Sequence, residues 1–152
     1  MKPFSLFLYI ILAVIIAGFY SFKPADEHIV LAQDVFKETN LYRKSNGLQS
    51  LEMIASLNAI AQKHSVDMAG GKSSFGHDGF DTRNVQAMKT MPGIRAFAEN
   101  VALDARSAQA VLFLWKNSAG HRRNLLGSFK YIGIGIAKDK HGRIYYTQIF
   151  AG

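Results

Sequence analysis

The first hydrophobic segment of the chain, residues 4–22, contains no charged side chain and few polar ones. A helix needs about 20 apolar residues to cross the hydrocarbon core of a bilayer. The aromatic residues Tyr20 and Phe22 at its distal end suit a membrane interface. The run is longer than the apolar core of most cleavable signal peptides, and no convincing cleavage site follows it. We therefore predict a signal anchor over residues 1–22, with a cleaved signal peptide as the alternative, and export of the remaining chain.

Helical periodicity dominates the region that follows a short spacer at residues 23–27. The 3.6-residue spacing of apolar positions predicts a helix over residues 27–45, a second from Ser50 to Met68, and a third after the cap residue Ser107. A short helical turn is expected over residues 120–126. The apolar positions of the first helix are Val30, Leu31, Val35, Leu41 and Tyr42, and those of the second are Ile54, Leu57, Ala61, His64 and Met68. Residues 71–98, rich in Gly, Ser, Asp and Asn, predict mainly loop.

The period changes from 3.6 to 2 near the carboxyl terminus. Residues 131–136 alternate isoleucine with glycine, and residues 143–150 are rich in β-branched and aromatic side chains. Both segments predict strands, and residues 138–142 between them predict a hairpin loop. Helices first and an antiparallel hairpin last indicate an α+β fold.

Composition narrows the possible classes of protein. The 152 residues include 18 Lys and Arg, 11 Asp and Glu, and no cysteine, which gives a net charge of +7. The lack of thiols excludes a disulfide scaffold, thiol catalysis and cysteine-ligated zinc. No basic run is longer than Arg122-Arg123, so a solvated basic surface explains the charge and no specific nucleic-acid binding is expected.

The five histidines lie in different sequence contexts. His77 and His121 lie in glycine-flanked polar segments, where binding and catalytic groups concentrate, although each is equally compatible with a surface position. His64 falls on the apolar face of the second helix, which favours a hydrogen-bonded core histidine over a ligand. His28 and His141 are expected to be solvated.

Glu99 is the candidate acid, because it stands among small apolar residues in the segment 98–102. A buried carboxylate needs a partner. A nearby imidazole would supply one and create a group able to bind a metal or exchange protons. The alternative is that Glu99 and Asn100 hydrogen-bond the backbone and shape a loop.

Read in order, these segments resemble the CAP superfamily, the SCP-like extracellular domain, in its bacterial branch. The matching elements are Asn40-x-x-Arg43-x-x-x-Gly47-Leu48, Ala61-x-x-His64-Ser65-x-Asp67-Met68, His77-Asp78-Gly79-Phe80-x-x-Arg83, Ala98-Glu99-Asn100-Val101-Ala102, Trp115-x-x-Ser118-x-Gly120-His121-Arg122-x-Asn124 and Tyr146-Thr147-Gln148-x-Phe150. The resemblance covers essentially all of the exported part, and we expect the domain to occupy residues 28–152.

The resemblance implies an α-β-α sandwich with a central antiparallel sheet, and a cleft that holds two histidines and two acids. On this chain His77, Glu99 and His121 match three of those positions, and the second acid is replaced by Ser118. Two imidazoles and one carboxylate can hold a divalent metal such as zinc and leave a coordination position open, or can form a polar cluster without metal. Arg83 and Asp78, like Asn124 and Arg122, are expected to support the neighbouring histidine structurally.

Three functions follow as hypotheses. The first is a membrane-anchored binding module of the cell envelope, which would use the cleft of His77, Glu99, His121 and Ser118 for a lipid, a wall component or a metal. The second is a metal-assisted hydrolase of peptide or phosphodiester bonds, with Glu99 as general base. The third is a factor that acts through a protein partner, for which the sequence offers no discriminating feature.

Overall fold

A computed structural model describes residues 24–152 as five helices and a four-stranded sheet. In chain order the elements are α1 (Pro24–Ser45), β1 (Glu52–Met53), α2 (Ala55–Ala69), α3 (Phe80–Thr90), β2 (Phe97–Leu103), α4 (Ala108–Asn117), α5 (Ala119–Leu125), β3 (Tyr131–Lys138) and β4 (Ile144–Ala151). The predicted signal anchor lies outside the described residues. Within residues 24–152, no helix combines the length and the apolar character that crossing a bilayer requires.

The strands are ordered β1-β3-β4-β2, and β4 pairs antiparallel with both β3 and β2. The short strand β1 pairs parallel with β3, with Met53 opposite Ile132. The expected antiparallel sheet is confirmed for β2, β3 and β4, whereas the parallel pairing of β1 makes the whole sheet mixed. A strand of two residues is too short to show an alternating pattern, and the sequence placed these residues at the start of the second helix instead.

Helices cover both faces of the sheet, as the sandwich arrangement requires. The isoleucines of β3 at positions 132, 134 and 136 share one core with Val35 of α1 and Trp115 of α4. Gly133 and Gly135 face the other way, against the backbone of α2, because successive residues of a strand point to opposite faces. A Cβ atom at Gly135 would collide with the backbone of Ala61, so the glycines permit α2 to lie directly on the sheet.

The predicted helices and strands are largely confirmed outside residues 50–98. The Ser107 hydroxyl accepts a hydrogen bond from the Ala110 N–H at 3.1 Å and caps α4 as expected. Two expectations are wrong: α2 begins at Ala55, not Ser50, and the region expected to be mainly loop contains α3. Only Arg83 and Ala87 of α3 are buried. Because one of them is charged and the other is small, the sequence of α3 shows no apolar periodicity.

The buried face of α1 is more polar than its sequence pattern indicates. Val30 and Leu41 are each 51% exposed, whereas Thr39 and Arg43 are buried one and two turns after Val35. The Arg43 guanidinium donates to the carbonyl of Leu125 at 2.8 Å and to that of Gly127 at 2.9 Å. Hydrogen bonds, and not only apolar packing, therefore fix the carboxyl-terminal end of α1 against the segment that leads into β3.

We predict that Gly135→Ala will lower the free energy of unfolding by about 3 kcal/mol, because the added methyl group must push α2 away from the sheet. Urea denaturation measures the change. The control is Gly120→Ala, since within residues 24–152 no atom beyond its chain neighbours and its own helix backbone lies within 4 Å of its Cβ position. Equal stabilities of the two variants would contradict the close approach of α2 to β3.

Candidate functional site

The segments that carry His77, Glu99 and His121 meet at β2, which forms one edge of the sheet. Glu99 and Asn100 are consecutive residues of this strand, so their side chains point to opposite faces. The Glu99 carboxylate contacts His77 in the loop between α2 and α3, while the Asn100 amide contacts the carbonyl of His121 in α5. The edge strand thus brings together segments from both sides of the sandwich.

The Glu99 carboxylate is fully buried and is bound by two side chains. Arg83 donates from Nε to Oε2 at 2.6 Å and from Nη2 to Oε1 at 2.7 Å. Nδ1 of His77 lies 2.9 Å from the same Oε1. The expected imidazole partner is therefore present, and an arginine partner that sequence reasoning missed makes the more extensive contact.

His77 is held at one ring nitrogen and open at the other. Because an ionised carboxylate can only accept, Nδ1 of His77 carries the hydrogen that bonds Glu99. In the neutral imidazole, Nε2 is then the unprotonated nitrogen with an available lone pair. The His77 side chain is 48% exposed, so the ring reaches from a buried anion to solvent.

Arg83 also fixes the loop that carries His77, which is the structural role predicted for it. Its Nη1 donates to the carbonyl of Asp78 at 2.7 Å, and its Nη2 points to the carbonyl of His77 at 3.5 Å. One guanidinium therefore joins α3, the loop and β2. The sequence motif singled out Arg83, but no signal in it identified Glu99 as the partner.

His64 is the hydrogen-bonded core histidine that the sequence favoured. It is 3% exposed, and its Nε2 lies 2.9 Å from the carbonyl oxygen of Gly76. The same nitrogen is 3.9 Å from Oε1 of Glu99, beyond hydrogen-bond distance. Burial lowers the pKa of His64, so the ring is neutral at pH 7 and ties the loop before His77 to α2.

His121 is half-buried, and burial, followed by the charge of His77, lowers its pKa. Its backbone is placed by an amide pair. Asn100 donates to the His121 carbonyl at 3.3 Å, and Asn124 donates to the side chain of Asn100 at 2.9 Å and to the carbonyl of Glu99 at 3.1 Å. Asn124 thus has the structural role that we expected of it.

Ser118 marks the break between α4 and α5, where its backbone is extended. Its N–H donates to the Trp115 carbonyl at 3.2 Å, and its carbonyl accepts from the Arg122 N–H at 2.8 Å. The hydroxyl makes no capping hydrogen bond to α5. The position that the resemblance assigns to a second acid therefore holds a neutral, half-buried side chain beside the turn that leads to His121.

The donor set limits the kind of metal site that these residues can form. Across residues 24–152, no group of three or more His, Asp and Glu side chains has an arrangement that could hold a metal ion. Both oxygens of Glu99 already accept hydrogen bonds, and Ser118 is neutral. The set does not fit a closed, four-ligand zinc site.

Comparison with known proteins identifies the family. The model of the cysteine-rich secretory protein family, CAP, matches residues 36–150. The chain belongs to this family. The uncharacterized protein YkwD of Bacillus subtilis is 33% identical over 121 residues, which are 78% of this chain and 46% of that protein. The uncharacterized membrane protein YlbC of the same organism is 30% identical over 115 residues, or 74% of this chain and 32% of the relative.

Solved CAP-domain structures share the fold. An extracellular SCP-domain protein from Bacillus anthracis superposes with a TM-score of 0.72 at 29% identity, over 84% of this chain and 43% of that chain. An outer surface protein of Borrelia burgdorferi gives a TM-score of 0.70 at 19% identity, over 85% of this chain and 95% of that one. At that identity the second match speaks only for the fold. The chain spans less than half the length of the two Bacillus subtilis relatives.

Burial of His64 predicts a pH dependence of stability. Its pKa is lowered from 6.5 in the folded protein, so the unfolded chain binds more protons as the pH falls below that value. Stability is therefore retained above pH 6.5 and lost as the pH drops toward the lowered pKa. We expect His64→Gln to reduce the loss of unfolding free energy between pH 7.5 and pH 5.5, measured by urea denaturation at about these two values.

The control for this experiment is His141→Gln, because His141 lies exposed in the hairpin loop. This substitution should leave the change of unfolding free energy with pH the same as in the parent chain. The slope in His64→Gln should not vanish, since burial also lowers the pKa of His121. Equal slopes in the parent chain and His64→Gln would contradict the assignment to His64.

Proposed function

We propose that this CAP-domain protein is exported, is anchored by residues 1–22, and binds a component of the cell envelope in the cleft between His77 and His121. The observation that carries the proposal is the hydrogen bond between His77 Nδ1 and Glu99 at 2.9 Å. It orients a half-exposed imidazole so that Nε2 faces outward, as a ligand-binding histidine requires. The apolar run 4–22 supports the anchor, and the relative described as extracellular supports export.

Each residue of the cleft has a distinct role in this proposal. His77 and His121 contact the ligand, and Ser118 lines the cleft beside them. Glu99 orients His77 and does not contact the ligand, because Arg83 and His77 occupy both of its oxygens. Arg83 is the positioning residue that pairs with the buried Glu99 carboxylate, because a lone buried charge is costly.

A divalent ion is the most direct probe of the imidazole pair. When bound, it would be held by His77 and His121, would keep at least two positions for ligand or water, and would act as a Lewis acid toward them. Metal-binding histidines usually donate their other ring N–H to a carboxylate, which fixes the ring and raises its basicity. Glu99 is such a partner of His77. We therefore retain the metal as a weakly held component of the proposal.

We expect zinc titration of the detergent-solubilised full chain, followed by calorimetry, to show weak binding that His77→Ala or His121→Ala abolishes. Glu99→Gln should weaken binding by about 10–100-fold without abolishing it, because it removes the partner that orients His77. The matched control is His141→Ala, which removes an exposed imidazole outside the cleft. Unchanged zinc binding by the His77→Ala/His121→Ala double variant would refute the assignment of the site.

The same geometry favours hydrolysis as a second candidate function, with a changed assignment of the base. A carboxylate bonded to Nδ1 and an exposed, unprotonated Nε2 are what a histidine needs to accept a proton from water. His77, and not Glu99 as the sequence analysis supposed, is then the proposed general base. Glu99 would stabilise the imidazolium that forms, with Arg83 holding the carboxylate in place.

The hydrolase hypothesis predicts activity that depends on His77. Peptide, nucleic-acid and ester substrates are incubated with the full chain, with and without zinc, and product release is measured. We expect His77→Ala to lower any genuine activity by about 100-fold or more, since a general base contributes about that much, and His141→Ala to leave it unchanged. Turnover that persists in His77→Ala would exclude His77 as the base, and no turnover on any substrate would remove the hypothesis.

A further inference from the structure

A second concave surface lies at the hairpin end of the sheet, and the loop that carries His77 forms one of its walls. We name it the hairpin groove, and it runs between the loop that follows α2 and the loop between β3 and β4. Its volume is about 750 Å³. The residues that matter for its chemistry are Val66, Phe75, Lys138, Lys140, Arg143 and Tyr145.

The rim of the hairpin groove is basic. Lys138 and Lys140 are exposed, and within residues 24–152 neither forms an ion pair. Asp139, which lies between them, is bound by Arg143 at 2.7 Å from Nε to Oδ2 and is neutralised by that contact. Lys138 and Lys140 therefore give the rim an excess of positive charge, and it suits an anionic ligand.

Large apolar side chains lie exposed beside these lysines. Phe75 is 49% exposed and Val66 is 46% exposed. The Phe75 ring meets Tyr145 edge to face, with 6.4 Å between ring centroids, so it is held at the groove and does not turn into the core. Basic groups next to exposed aromatic and aliphatic side chains are typical of surfaces that lie at a membrane interface.

The course of α1 determines which end of the domain this surface occupies. At the carboxyl-terminal end of α1, Arg43 donates to the carbonyls of Gly127 and Phe129, just before β3 begins. At the other end, His28 lines the same pocket as Gln62, whose side chain forms two hydrogen bonds with the backbone of Ile136, at 2.8 and 2.9 Å.

Helix α1 therefore runs antiparallel to β3, and it begins at the end of the sheet where β3 reaches Lys138. Burial, followed by the charge of Lys138, lowers the pKa of His28, in agreement with this proximity. The apolar run 4–22 ends two residues before Pro24, where α1 begins. Two residues span at most about 7 Å, so the chain enters the domain at its hairpin end and close to the end of the run.

We propose that the hairpin end of the domain lies against the membrane and that the hairpin groove binds anionic phospholipid headgroups. The proposal rests on the membrane anchor of the proposed function. The tether places the basic rim within a Debye length of the lipid surface, where each lysine or arginine strengthens attraction to anionic lipid. Phe75 and Val66 then enter the interface between headgroups and acyl chains.

The test uses the full chain reconstituted into lipid nanodiscs. Because the chain has no cysteine, Ser74→Cys introduces a single labelling position next to Phe75, and a bimane fluorophore is attached there. The bilayer contains nitroxide-headgroup lipid as quencher in phosphatidylcholine, either alone or mixed equally with phosphatidylglycerol. We expect strong quenching only with phosphatidylglycerol, and quenching that falls as the salt concentration rises.

The charge-reversal variant Lys138→Glu/Lys140→Glu should lower the docking equilibrium constant, calculated from the quenched fraction, by about tenfold or more. Its control, Lys44→Glu/Lys130→Glu, makes the same charge change at the opposite ends of α1 and β3 and should leave quenching intact. Circular dichroism establishes that all variants are folded. Both charge variants should keep His77-dependent zinc binding, which separates this proposal from the ligand cleft.

Five results would overturn the proposal. Equal quenching in the two lipid mixtures, or equal loss in the two charge variants, would show that the hairpin groove does not recognise anionic headgroups. No quenching in a chain that incorporates into nanodiscs would refute docking while leaving the anchor intact. Failure of the chain to incorporate into nanodiscs would refute the anchor. Binding of soluble polyphosphate without any quenching would show that the groove binds a soluble polyanion instead of lipid.

Discussion

The site depends on one constraint, which is that the fully buried Glu99 carboxylate must be neutralised. An isolated carboxylate could not stay ionised there, since its desolvation is far more costly than any single hydrogen bond can offset. Arg83 meets the requirement with two parallel hydrogen bonds, the geometry in which a guanidinium and a carboxylate interact most strongly. In doing so it brings α3 to β2 and holds the intervening loop. The position of His77 is thus a consequence of neutralising Glu99.

The same arrangement determines which chemistry remains available to Glu99 and His77. A carboxylate with both oxygens engaged is a poor metal ligand and a poor base, but it is an effective anchor for an imidazole. The negative charge of Glu99 is balanced by Arg83. Burial, followed by the charge of His77, disfavours protonation of His121 by lowering its pKa. The neutral His121 ring therefore keeps one unprotonated nitrogen with an available lone pair.

Sequence patterns anticipated those parts of the molecule in which apolar periodicity determines the structure. The α4 face around Trp115, the β3–β4 hairpin and the core position of His64 all follow from spacing and are all present. Helix α3 and strand β1 could not be predicted, because one buries too few apolar residues and the other is too short to show a period. Arg83 could be selected as a position but not paired with Glu99, since that contact depends on tertiary packing across the fold. The hydrogen-bond partners of Glu99 can therefore be identified only in the folded structure.

A buried polar network fixes the positions of helices on the sheet in this chain, which has no cysteine. Gln148 in β4 donates to Thr39 of α1 at 2.9 Å and accepts from Asn100 of β2, which in turn bonds the α5 backbone at His121. Such a network adds little net stability over apolar packing, because every group in it must also be desolvated. Its effect is on specificity: a shift of α1 or α5 would leave several buried amides unpaired at once. This network therefore fixes the backbone of His121 on the face of the sheet that α1 covers. On the face that α3 covers, Arg83 fixes the loop of His77.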